Sequence, residues 1–141
     1  MTLKIKRISP EAKLPHYSHP GDAGLNIYSN EELIVPAHER RIISTGIAMA
    51  IPNGYVGLIW DRSSISSQFG LKMLGGVVDA GYRGEIKVII HNLTSQPFHV
   101  EKGLKIAQML IQSVEQKEVI EVEELEDTER GMGGFGSTGA K

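Results

Sequence analysis

The chain has 141 residues, enough for one domain with a modest core, and its 40% hydrophobic and 23% charged residues are ordinary for a globular protein. With no cysteine it can build neither a disulfide framework nor a thiolate metal site, a composition compatible with the reducing cytoplasm. A net charge of −2 argues against a broad nucleic-acid surface, and no apolar run approaches the ~20 residues of a membrane span.

The opening MTLKIKRISP is basic but lacks the apolar run of a signal peptide. Within it, Leu3–Ile8 alternates apolar and charged residues, as a half-buried strand should. His16 and His19 follow in a proline-bounded loop and, like His38, His91 and His99, read as solvated, because no metal-ligand spacing relates them. Ile42–Ile51 and Tyr55–Trp60 are predicted strands, set off by Pro36 and by the turn Pro52-Asn53-Gly54, with Trp60 expected in the core. Ser63–Gly70 is the best helix candidate, one or two turns long. Glu85–Asn92 and Ile106–Val114 are further strands, bounded by turns at Asp79–Gly84, Ser95–Pro97 and Lys102-Gly103. Glu115–Glu126 reads as a strand running into an acidic connection. Short strands at this spacing predict an all-β, jelly-roll-like barrel or sandwich over residues 1–126. Residues 127–141 are mostly Gly, Ser and Thr and cannot bury enough to order themselves, which predicts a flexible C-terminal arm.

Three clusters carry chemistry, each with a plainer alternative. Asp61-Arg62-Ser63-Ser64 offers a guanidinium and two hydroxyls to phosphate oxygens, or else Ser63 or Ser64 simply caps a helix. Gly76 to Glu85 reads as a tight hairpin whose backbone could read a base edge, or Asp79 and Gly81 are only turn formers. The tail RGMGGFGSTGAK has a G-x-x-x-x-G spacing, but Ala140 stands where a P-loop needs Lys and no strand leads in. A glycine-rich segment with Arg130, Ser137 and Thr138 can still cradle phosphate, and Phe135 could stack on a base; otherwise the tail is a linker. Gln108, in an apolar run, is a satisfied buried amide or a site residue.

Taken together the clusters resemble the trimeric dUTPase family, which is marked by five short motifs in fixed order. The counterparts are Asp22 to Ser29, Pro52 to Gly57 running on to Arg62-Ser63-Ser64, Gly76 to Glu85, Gly103 to Gln108, and Arg130 to Gly139. The resemblance implies a dUTPase-like β-clip fold and hydrolysis of dUTP to dUMP and pyrophosphate. That activity limits uracil incorporation into DNA and supplies dUMP for thymidylate synthesis. By resemblance, Asp79 activates the water, and Gly76, Val77 and Val78 read uracil. Tyr82 packs on the deoxyribose, and Lys87 joins the substrate contacts. Arg62, Ser63, Ser64 and Gln108 hold phosphates. Arg130, Phe135, Gly136, Ser137 and Thr138 close from the tail.

The family also implies a Mg2+ cofactor held mainly by the triphosphate and waters, with Asn26 as a residue near its water shell and no direct protein ligand. It further implies a homotrimer with shared active sites and no nucleic-acid or membrane partner. There are departures: Asn26 stands where Asp is usual, Asp61 where Pro commonly precedes the Arg, Ser64 for Gly and Lys105 for Arg. Arg-Ser-Ser also occurs in dCTP deaminases, but these need a glutamate base where this chain has Ile89. A non-catalytic nucleotide-binding protein on the same fold is the other alternative.

Overall fold

The computed structural model describes residues 1–140 and consists of eleven short strands and one helix. In chain order these are β1 (Lys4–Arg7), β2 (Leu25–Tyr28), β3 (Leu33–Val35), β4 (Arg40–Ser44), β5 (Ile47–Ala50) and β6 (Tyr55–Trp60). They continue with α1 (Ser63–Phe69), β7 (Leu71–Leu74), β8 (Val77–Val78), β9 (Lys87–Asn92), β10 (Phe98–Val100) and β11 (Lys105–Ser113). All pairing is antiparallel, in ladders ordered β2-β11-β6-β8, β4-β9-β7, β1-β5 and β10-β3.

The alternation that marks these strands puts one face of each into a shared core. Ile43, Val88 and Ile90 come from one ladder, Ile27, Ala107 and Met109 from another, and each is fully shielded from solvent. Each such large side chain contributes about 1.5–3 kcal/mol by leaving water. The core, rather than local propensity, holds strands of three or four residues in place.

Three expectations are corrected. Ile42–Ile51 is two strands, because the chain bends at Gly46, at φ 70°, and β4 pairs with β9 while β5 pairs with β1. Glu115–Glu126 forms no strand: among the described residues it has no pairing partner, and Val119 and Leu125 are 93% and 86% exposed. Trp60 is 51% exposed rather than buried, because β6 turns Ile59 inward and Trp60 outward. The helix is placed as expected, ending at Gly70 in the left-handed conformation. Lys141 lies outside the described residues.

Candidate active site

The loop between β8 and β9 forms the first half of the site; it is not the expected hairpin, because β8 pairs with β6 while β9 pairs with β4 and β7. β8 is an edge strand: it pairs only with β6, through Gly57–Val78 and Leu58–Val77, with Ile59 N–H donating to the Gly76 carbonyl at 2.8 Å. Its other edge keeps a row of unpaired backbone donors and acceptors, the equipment needed to read a flat polar base. Beside it is a hollow of about 260 Å3 lined by Ile59, Gly76, Val77, Val78, Asp79, Tyr82, Glu85, Ile86, Lys87 and Ile89.

The chain then turns at Asp79, whose carbonyl accepts the Tyr82 N–H at 3.1 Å, leaving the exposed Asp79 carboxylate at the mouth of the hollow. Tyr82 lies across Gly84, where any Cβ would collide with the ring, and its hydroxyl donates to the Glu85 carbonyl at 2.9 Å. The Glu85 carboxylate is engaged within the chain, accepting hydrogen bonds from Ser44 Oγ and from the Gly46 N–H. Burial pushes its pKa up, but those bonds, a Thr45 backbone bond and the charge of Lys87 outweigh it and hold the group below the ordinary carboxylate value.

The second half is a polar hollow of about 300 Å3 lined by Ser18, Asp22, Ala23, Gly24, Asn26, Arg62, Ser63, Ser64 and Gln108. Sheet register assembles it. Gln108 of β11 sits opposite Asn26 of β2 on one side and opposite Trp60 of β6 on the other. Gln108 Nε2 donates to the Asp61 carbonyl at 2.8 Å, and Arg62 Nη1 donates to the Lys105 carbonyl at 3.3 Å. Gly24 must be glycine for Gln108 to lie there, since a Cβ would overlap the amide. Asn26 Nδ2 donates to Ser18 Oγ at 2.6 Å, and Tyr28 on the same strand bonds and stacks with His16. Burial raises the Tyr28 hydroxyl pKa, with the Arg62 charge opposing.

Neither Ser63 nor Ser64 caps the helix: Arg62 occupies the cap position and no side chain caps it. Neither hydroxyl is taken up by a cap, which removes the capping alternative for that cluster.

The two halves are far apart within one chain. β8 runs back along β6, which brings Asp79 level with Val56, six residue steps from Arg62. At ~3.3 Å per residue that is on the order of 20 Å.

The third expected element, the tail, curls on itself. Gly133 N–H donates to the Arg130 carbonyl at 3.1 Å, and Ser137 N–H to the Gly134 carbonyl at 3.1 Å. Arg130 Nε is tied to the Gly133 carbonyl at 2.9 Å. The curl encloses a hollow of about 500 Å3 lined by Arg130, Gly133, Gly134, Phe135, Gly136, Ser137 and Thr138. Phe135 is fully exposed with φ 51°, a conformation rare outside glycine. The expected residues thus fall into three groups that this one chain does not bring together.

With this geometry in hand, the dUTPase family model matches residues 10–139. The chain belongs to the dUTPase family. A deoxyuridine 5'-triphosphate nucleotidohydrolase of Clostridium kluyveri is 50% identical over 141 residues, covering 99% of both chains. One from Paramecium bursaria Chlorella virus 1 is 43% identical and covers 98% of both. Among solved structures, the Staphylococcus bacteriophage 80alpha dUTPase with dUPNHPP superposes with a TM-score of 0.93 at 34% identity, covering 98% of each chain. A point mutant of the dUTPase from phage phi11 of S. aureus, solved for the coordination of a structural Mg(II) ion, gives 0.83 at 30% identity, covering 88% of this chain and 98% of that one.

Asp61 and Glu85 are the residues that reading the sequence for chemistry passed over. Neither lines up with a reactive role, and their hydrogen bonds reach residues twelve and about forty positions away.

Proposed function

We propose that the chain hydrolyses dUTP to dUMP and pyrophosphate by attack of water on the α-phosphorus. The observation that carries this is the pairing of an edge-strand base pocket, with a carboxylate at its mouth, and a separate cradle of guanidinium, hydroxyls and amide. The uracil edge meets the unpaired backbone of Gly76 to Val78, so cytosine leaves donors and acceptors mismatched, which can cost powers of ten in selectivity. Tyr82, laid across Gly84, packs against the sugar and leaves no room for a ribose hydroxyl.

Asp79 holds the water and takes its proton as the new P–O bond forms, and the bond from the α-phosphorus to the bridging oxygen breaks, releasing pyrophosphate. A carboxylate is a weak base towards water, so much of the contribution of Asp79 is placing the nucleophile. Lys87, also lining the pocket, adds positive charge beside the nucleotide. Arg62, Ser63, Ser64 and Gln108 bind the phosphate oxygens with charge-assisted and neutral hydrogen bonds.

The polar hollow suits magnesium bound through water: it offers oxygen groups on Ser18, Asp22 and Asn26 but only one carboxylate, and the described residues hold no cluster of three metal-binding side chains. Mg2+ bound there would neutralise charge on the triphosphate. Asn26 and Asp22 would hold its waters.

A separation on the order of 20 Å between Asp79 and Arg62 supports a site shared between copies, since both must act on one triphosphate. We propose a homotrimer in which one copy supplies the β8 pocket with Asp79, another the cradle, and a tail closes over both. Residues 1–126 then form the hydrolase body and residues 127–141 the closing arm. On closure Arg130 meets the γ-phosphate, Phe135 covers the uracil, and Gly136, Ser137 and Thr138 complete the phosphate contacts, excluding bulk water. The same reading puts the protein in the cytoplasm with the free nucleotides, and without nucleic-acid or membrane partners.

Deamination of dCTP is disfavoured, because Ile89 lines the pocket where a general base would stand and Glu85 is bound to Ser44 and Gly46. The test is incubation with dUTP or dCTP and magnesium, assaying pyrophosphate, dUMP and ammonia. Pyrophosphate and dUMP from dUTP, without ammonia from dCTP, is the expected result; ammonia would move the assignment to a deaminase, and neither product to a binding protein.

A further inference from the structure

Asp61 is the last residue before the phosphate-binding turn, and its side chain, 18% exposed, is fully engaged. One carboxylate oxygen accepts the Met73 N–H at 2.6 Å, and the other binds the Lys72 ammonium. The Lys72 Nζ also lies 5.7 Å from the centre of the Trp60 ring. On its other side, the Asp61 carbonyl accepts Gln108 Nε2 at 2.8 Å. One residue therefore ties the end of β6 to β7 and to β11, and the next three in the chain are Arg62, Ser63 and Ser64.

A carboxylate this near an anion cradle has an electrostatic cost, because like charges repel. The Lys72 ammonium beside it offsets that cost, so Asp61 can act as a tether without an uncompensated charge. The turn needs one. Its cap position has no side-chain hydrogen bond, and the helix that follows is only seven residues long. A proline at this position would restrict φ covalently. The Asp61 N–H makes no backbone hydrogen bond among the described residues, and Trp60 before it is in a strand, the conformation that precedes proline.

We propose that Asp61, through the Met73 amide and Lys72, is a positioning residue for the triphosphate: it does by tether what a proline ring does by restriction, fixing the turn that carries Arg62, Ser63 and Ser64 and orienting Gln108. The inference rests on the phosphate-cradle reading above.

The test is steady-state kinetics with dUTP and magnesium on Asp61→Ala, Asp61→Asn and Asp61→Pro, with deoxyuridine as a phosphate-free inhibitor. Asp61→Ala should raise KM about tenfold, equivalent to about 1.4 kcal/mol, with kcat within about threefold and deoxyuridine inhibition unchanged. Asp61→Asn, which keeps an acceptor for the Met73 N–H, should fall between Asp61→Ala and the native protein. Asp61→Pro should recover a KM within about threefold of native. Trp60 is the single tryptophan, and its emission should change in both Asp61→Ala and Asp61→Pro, since both release Lys72, although only the alanine variant loses affinity.

An unchanged KM in Asp61→Ala, an equal loss of deoxyuridine inhibition, or no recovery in Asp61→Pro would overturn the proposal. If a melting curve shows Asp61→Ala unfolded, Lys72→Met carries the test: it removes the ion pair and the charge beside Trp60, leaves the Met73 hydrogen bond in place and should raise KM several-fold, and a native KM would overturn the tether. Failure of the dUTPase reading would show separately, as native protein without turnover of dUTP.

Discussion

On the proposed reading, the two halves of the site solve different recognition problems with different parts of the chain. The pocket beside β8 has Val77, Val78, Ile59, Ile86 and Ile89 as its apolar lining and the free backbone edge of β8 to face a base, with Asp79 and Lys87 also in its wall. The cradle is lined by Arg62, Ser63, Ser64, Gln108 and Asn26, and its polar equipment is side chains, with Gln108 and Asn26 set side by side by strand register. A flat, uncharged base would be read by backbone geometry, which side-chain substitutions change little. A flexible polyanion would be held by charge and hydroxyls, which depend on every residue that aims them. In that proposal the catalytic demand falls on Asp79.

That division predicts unequal effects. The largest belongs to Asp79, which serves the reaction and neither recognition task. Asp79→Asn should lower kcat by about 10²–10⁴ while dUMP still binds, measured by pyrophosphate release and by calorimetry; near-native turnover would remove Asp79 from the chemistry. Truncation before Arg130 comes next. It should lower kcat/KM about 100-fold and leave the melting temperature unchanged, because the tail's described hydrogen bonds are its own. Full activity of the shortened chain would make the tail a linker.

A smaller effect separates the halves directly. Gly24→Ala pushes Gln108 out of place and should raise the KM for dUTP several-fold, with deoxyuridine inhibition intact. Equal losses for both ligands would mean that the two halves are not independent.

The smallest effect is on stability. Glu85 is held below the ordinary carboxylate value, so its contribution is complete above the unfolded pKa of ~4.3 and is lost as pH falls through the folded value. Glu85→Gln should therefore melt lower than native at neutral pH and converge with it as the pH falls through the folded value. A constant gap across that descent would show that the ionised carboxylate is not what fastens the loop before β9 to the end of β4.

The cradle and the β8 pocket also differ in how far sequence could reach them. Asp79, Tyr82, Arg62 and the Arg130–Thr138 tail were legible because each lies in a compact, ordered motif whose residues are neighbours in the chain. β6, β9 and β11 were legible because five or more residues of alternation carry a period. β2, β3, β7 and β10 are three or four residues long and carry no such signal; long-range partners define them, as β11 does for β2. Trp60 was misplaced because its type favours burial while the phase of β6, set by Ile59, turns it outward. Glu115–Glu126 has the composition of a strand, but among the described residues it pairs with no strand edge, and its Val119 and Leu125 stay exposed.

The sequence by itself supplied the candidate groups: a carboxylate in a tight turn, a guanidinium followed by two hydroxyls, and a glycine tail with one aromatic ring. Those are local properties, set by residue type and spacing. Only the tertiary structure brought Gly24 against Gln108, Asp61 to the Met73 amide and Glu85 to the Gly46 amide, because those contacts are between residues far apart in the chain. It also put Asp79 and Arg62 at different levels of β6, since antiparallel register, which no local pattern encodes, sets which residues stand side by side.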